Sequence, residues 1–148
     1  TAYLLGKIDK TGLEGDNYKS WFSKNYESYK PNLSIINAIT SELKNYQITL
    51  FMGTWCGDSK RETPKFYKLL SIAEFNLKNL EMIAVNRGKR TPDDLQKGFE
   101  IKRVPTFIFY KKGKEIGRYV EHARENLEKD ILKILTGKKY KHSYDHSK

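Results

Sequence analysis

The chain has 148 residues, 38% apolar and 31% charged, which suits one domain with a buried core and is tight for two. No apolar run approaches the roughly eighteen residues of a membrane span, and a single cysteine excludes an intrachain disulfide framework. The net charge is +10, and residues 47–148 carry twenty-two Lys/Arg against thirteen Asp/Glu; these are scattered through amphipathic segments, so they read first as solvated surface.

Residues 1–32 are expected to form an N-terminal extension packed on the domain. Within it "YLLGKID" reads as an edge strand, and Tyr18, Trp21, Phe22 and Tyr26 fall at helical spacings. After the break at Pro31 and Asn32, Leu33, Ile36, Ile39 and Leu43 recur as one buried stripe of a helix. "YQITLFMG" is a short continuous apolar run, the pattern of a central strand covered on both faces. "DSKRETPKFYKLLSIAEF" predicts a helix with Phe66, Leu69, Leu70 and Ala73 on one face. Pro64 inside it removes one backbone donor and should kink it. "NLEMIAVN" reads as a second buried strand.

"TPDDLQKGFEI" predicts a third helix, with Thr91 as its cap, Pro92 at its first position and Asp93 and Asp94 near its positive end. "VPTFIFYKKGKEIGRYVE" predicts two strands joined around Gly113. "RENLEKDILKILTG" predicts a last amphipathic helix with Gly137 as its C-cap. Residues 138–148 read as a polar tail that frays. The order predicts an α/β domain over residues 33–137, a central mixed β-sheet flanked by helices on both faces. Its first two strands are parallel through a helical crossover, and its last two form an antiparallel hairpin. Active groups in such sheets gather beyond the carboxyl ends of the parallel strands, and Cys56 is placed there.

A thiol is nucleophilic only as thiolate, and a helix N-terminus favours a negative sulfur. Cys56 directly precedes the helix that holds Lys60 and Arg61. The Ser59 hydroxyl is spaced to donate to the sulfur, whereas the Asp58 carboxylate opposes a second anion. The other reading, Cys56 as a small buried hydrophobe, stays open on these residues alone.

"FMGTWCGDS", Pro64 eight residues after Cys56, and "VPTFIFYKKGKEIG" together resemble the thioredoxin-like superfamily, whose order of elements agrees from about Leu33 to Gly137. The resemblance implies that fold. It also implies that Cys56 is the solvent-facing attacking thiol, with Trp55 as the flanking aromatic and Gly57 and Asp58 completing the turn. Pro105 matches the proline that is cis in these folds and lies against the turn. Val104 and Thr106 border it, and the Val104 backbone would pair with an extended substrate. Ser59 stands where the resolving cysteine is found, and Leu50 stands where thioredoxins often carry a buried acid. Monothiol glutaredoxins share a motif ending in serine, but their Gly-Gly-Asp glutathione pattern is missing. Gly53 replaces the threonine that a peroxidatic site requires.

Two functions remain open. In one, Cys56 acts by thiol–disulfide exchange on protein disulfides or thiols, as in isomerisation or the resolution of mixed disulfides. An external thiol, from the substrate or a small molecule, must then release it. In the other, a redox-inactive module binds partners in the groove beside Pro105, in the manner of a chaperone. Arg87, Lys89, Arg90, Lys102 and Arg103 are placed to form a basic rim on the same side. No cofactor is expected, and no metal, since His142, Asp145 and His146 lack further ligands. The tyrosines show no stacking pattern for nucleic acid. A monomer is expected, and a start at Thr1 fits either a cytoplasmic chain or one exported after signal-peptide removal.

Overall fold

The computed structural model describes residues 3–145. Its sheet has five strands in the order β1–β3–β2–β4–β5, formed by Gly6–Ile8 (β1), Gln47–Met52 (β2), Leu80–Ala84 (β3), Thr106–Lys111 (β4) and Lys114–Val120 (β5). β2 and β3 run parallel, with Leu50 opposite Met82, and the other pairings are antiparallel. Lys112 and Gly113 both take positive φ, 52° and 78°, so they close β4 onto β5 in a two-residue turn whose twist suits a hairpin. This is the mixed α/β sheet expected from the order of the sequence patterns.

Four α-helices flank the sheet among the described residues: Lys19–Ser28 (α1), Leu33–Leu43 (α2), Gly57–Ile72 (α3) and Leu127–Leu135 (α4). Asn32 starts α2 by accepting the N–H groups of Ser34 and Ile35, and Asn126 starts α4 by accepting that of Lys129. Gly137, at φ 71°, follows α4 where its last carbonyls need partners, and the N–H of Lys138 returns to the Lys133 carbonyl at 3.2 Å. Leu33, expected in the buried stripe, lies at the first position of α2 and is 63% exposed.

Because side chains alternate along a strand, β2 serves two cores. Ile48, Leu50 and Met52 join Phe66, Phe107, Phe109 and the apolar faces of the helices in the larger one. Phe51 joins Ile83, Val85, Val104 and Ile108 on the opposite pleat. Residues 91–101 pack Leu95, Phe99 and Ile101 onto this second cluster, and here the expected third helix does not form. The Thr91 hydroxyl does accept the Leu95 N–H at 2.8 Å, as a cap would. The chain then turns through positive φ at Asp94 (52°), Gly98 (89°) and Glu100 (54°), which an α-helix cannot contain. So short a segment gains too few helical bonds to offset nucleation once its apolar residues are placed by turns.

Pro64 lies inside α3 and leaves the Lys60 carbonyl without the N–H that would normally reach it. The Asn25 side chain of α1 fills that vacancy, donating to the Lys60 oxygen at 3.0 Å. The C-terminal segment, read as frayed, is tied down through Asp145. The Tyr140 hydroxyl donates to buried Asp130 at 2.7 Å, that of Ser143 to the His122 carbonyl at 2.7 Å, and Arg124 reaches the His142 and Asp145 carbonyls.

Candidate functional site

β2 ends at Met52, and the next residues turn sharply into α3. Cys56 N–H donates to the Gly53 carbonyl at 3.0 Å, which closes the turn. Gly53 N–H donates to the Ser59 hydroxyl oxygen, also at 3.0 Å, so the buried serine ties the turn to the helix. Gly53 has no side chain for a steric reason: a β-carbon there would sit 2.5 Å from the Trp55 indole. The indole is held by its own N–H, which donates to the Val85 carbonyl at 2.8 Å. Thr54 accepts the Leu4 N–H at 3.1 Å, a tie from the N-terminal segment to the same turn.

Cys56 is the N-cap of α3, half-buried, with extended backbone, and its carbonyl accepts the Lys60 N–H at 3.0 Å. Its sulfur faces the chain before β4, and the thiol donates to the Val104 carbonyl at 3.5 Å. The Val104–Pro105 bond is cis. The Pro105 carbonyl accepts the Glu121 N–H at 2.9 Å, and the buried Thr106 hydroxyl donates to the Arg103 carbonyl at 2.7 Å. Turn, proline loop and the residue after β5 are thus joined by hydrogen bonds as well as by packing.

Trp55, Cys56, Asp58 and Val104 line one small cleft of about 110 Å³, together with Lys89, Lys102, Arg103 and Glu121. Pro105 and Thr106 are buried behind Val104, and Gly57 is exposed at the first position of α3. Ser59, expected to donate to the sulfur, has its described bond with Gly53, while the described partner of the sulfur is Val104. Asp58 is engaged by Arg61 at 2.7 Å, which spreads its negative charge away from the thiol. Arg61 also reaches Glu62 at 2.7 Å and the Glu121 carbonyl at 3.2 Å.

Several participants carry no local signal in the sequence. Glu62 is buried under the site and bonded to the Tyr119 hydroxyl, with Lys65 3.6 Å away. Leu50, on β2 at the position where the resemblance would place a buried acid, is fully buried. Tyr144, from the C-terminal segment, donates to Glu121 at 2.8 Å and lies under the Arg103 guanidinium, 3.9 Å from its centroid. The bond to Glu121 holds the Tyr144 phenol above its ordinary value, while Arg103 acts the other way. The contacts of Glu62 with Tyr119 and of Tyr144 with Glu121 and Arg103 join residues over 20 positions apart, so no spacing rule announces them. His142 accepts the Tyr144 N–H at 3.1 Å, and His146 lies outside the described residues.

The thioredoxin family model matches residues 34–133. A thioredoxin-like protein of Acanthamoeba polyphaga mimivirus is 32% identical over 95 residues, 64% of this chain and 66% of its own length. The thioredoxin of Oryctolagus cuniculus is 35% identical over 85 residues, 57% of this chain and 75% of its own. A solved protein of unknown function from Pseudomonas aeruginosa shares the fold with a TM-score of 0.65, over 89% of this chain and 93% of its own, at 15% identity.

Proposed function

This chain belongs to the thioredoxin family, whose role is thiol–disulfide redox chemistry, and from that premise we propose that it works by exchange through Cys56 alone. The Cys56 thiolate attacks one sulfur of a substrate disulfide. A Cys56–substrate disulfide forms, the old S–S bond breaks, and the second substrate sulfur leaves as thiolate with the bonding pair. A third thiolate, from the substrate or from a small-molecule thiol, then attacks the substrate sulfur and expels Cys56 as thiolate. Each step exchanges one disulfide for another, so rearrangement within the substrate needs no oxidant or reductant. Where a small-molecule thiol releases Cys56, that thiol is the reductant and ends in a disulfide with the substrate sulfur. The products are rearranged disulfides or a thiol freed of its mixed disulfide.

The observation that carries this reading is the pairing at the start of α3. A half-exposed Cys56 faces the Val104 carbonyl beside Pro105, while the position of a resolving thiol holds Ser59, buried and bonded to Gly53. The loop of Val104, Pro105 and Thr106 would hold an extended substrate segment against the sulfur. Trp55, Gly57 and Asp58 would border it on the other side. Protein disulfides or thiols are the substrates, with the small-molecule thiol as the releasing agent.

The test is recovery of activity by a substrate protein with scrambled disulfides, in buffer containing a small-molecule thiol. The intact protein should accelerate recovery, and Cys56→Ser should fall to the rate of buffer. Equal acceleration by both would overturn exchange in favour of a binding module that uses the groove beside Pro105.

A further inference from the structure

The cleft at Cys56 is lined by three cations, and their counter-charges are unevenly distributed. Of its two carboxylates, Asp58 is paired with Arg61 at 2.7 Å. Glu121 takes the Tyr144 hydroxyl at 2.8 Å and lies 3.9 Å from Arg103. Lys89 and Lys102 have no ion pair among the described residues, and neither does Arg87 just outside the cleft. Nor are Arg87 and Lys89 loosely placed. The Asn86 side chain accepts the N–H groups of Gly88 at 2.9 Å and Arg90 at 3.0 Å, folding residues 86–90 into a tight turn. That turn lays the Arg87 and Lys89 charges 5.2 and 5.6 Å from the Trp55 ring centroid, next to the residue that carries the thiol. Neither cation has an acid within ion-pair distance among the described residues, so both charges on this indole are open to an anion that enters the cleft.

We propose that the partner sulfur exchanged at Cys56 is flanked by carboxylates, so the substrate is an acidic disulfide whose negative groups seat on Lys89, Lys102 and Arg103. The inference rests on the exchange reading above and names its substrate class. The same cations serve the chemistry, because negative charge spreads over the attacking, central and leaving sulfurs during exchange. Two sources supply this chemistry, an acidic protein segment around a cysteine and a small acidic thiol cap such as glutathione. The cleft is small, about 110 Å³, so either source would place only its disulfide end there and lay its carboxylates along the cationic rim.

The test measures formation of the Cys56 mixed disulfide with three blocked tripeptide disulfides, Glu-Cys-Glu, Gln-Cys-Gln and Lys-Cys-Lys, and with oxidised glutathione. At about 0.02 M salt the acidic peptide should react at least about tenfold faster than the neutral one and the basic peptide slowest. Raising salt to about 0.5 M should collapse the gap. In Lys89→Gln/Lys102→Gln the acidic-to-neutral ratio should fall at least about fivefold, as expected for loss of two local charges. Lys44→Gln/Lys114→Gln, with the same net charge but altered at the opposite end of the sheet, should keep the parent ratio. Oxidised glutathione reacting as fast as the acidic peptide identifies a thiol cap as the source, and slower reaction identifies protein segments; both uphold the acidic class. Equal rates for all three peptides overturn the charge inference and leave exchange standing. No adduct with any disulfide, the neutral one included, removes exchange and this inference with it.

Discussion

Ser59 shows how one side chain can mean more than the group it replaces. Its position three residues after Cys56 makes the missing second thiol legible from the sequence. What the sequence does not announce is that its hydroxyl oxygen receives the Gly53 N–H at 3.0 Å, fully buried. Removing that acceptor strands a buried donor, which costs more than the bond's net worth. Ser59→Ala should therefore lower stability by about 1–2 kcal/mol in chemical denaturation, by the usual penalty for an orphaned buried group. An unchanged midpoint would mean that the turn is held by other bonds. Gly53 and Trp55 are legible in the same partial way. The aromatic before the cysteine marks the site, but the need for glycine at 53 comes from an indole folded back against it. Only three-dimensional packing reveals that.

At the scale of helices and strands, α3 carries both the site and a defect. Pro64 was readable as the loss of a backbone donor, but its remedy lies on another helix, in Asn25 bonded to the Lys60 carbonyl. If the account is right, Asn25→Ala should cost about 1–2 kcal/mol alone, because a carbonyl loses its partner. It should cost about 1 kcal/mol less in a Pro64→Ala background, where an alanine N–H can reach Lys60, a coupling typical of groups in contact. Additive effects in this double-mutant cycle would contradict it. The strands were legible because period-two and continuous apolar patterns are strong over five or six residues. Residues 91–101 were not, because cap signals at Thr91 describe how a helix begins and not whether it continues. Positive φ at Asp94, Gly98 and Glu100 serves the packing of Leu95, Phe99 and Ile101 on the second core. That choice is tertiary.

For the whole molecule, buried tyrosines set an alkaline limit. Burial raises the Tyr67 and Tyr119 phenols above their ordinary value of about 10, and the Glu62 carboxylate adds to the effect at Tyr119. Above that value the unfolded chain releases these protons while the folded chain keeps them, so stability is full below about pH 10 and falls beyond it. Each such tyrosine contributes a slope of about 1.4 kcal/mol per pH unit. Urea titrations from neutral to strongly alkaline pH should show this loss, and Tyr67→Phe should make the slope shallower by one tyrosine's share. An identical slope would place the limit elsewhere. The succession of strands along the chain and the position of Cys56 beyond β2 follow from local patterns, whereas the lateral order of the strands and the wall of the site do not. Tyr144, Glu121 and Arg103 meet only because the C-terminal segment returns across the fold. The central claim, that this thioredoxin-family chain exchanges disulfides through one thiol, is tested most directly by intact mass spectrometry of the protein mixed with a neutral peptide disulfide. The account predicts one peptide bound per chain at Cys56, stable until a small-molecule thiol is added and then released at a rate proportional to that thiol. Spontaneous release without added thiol, or no adduct at all, would contradict it.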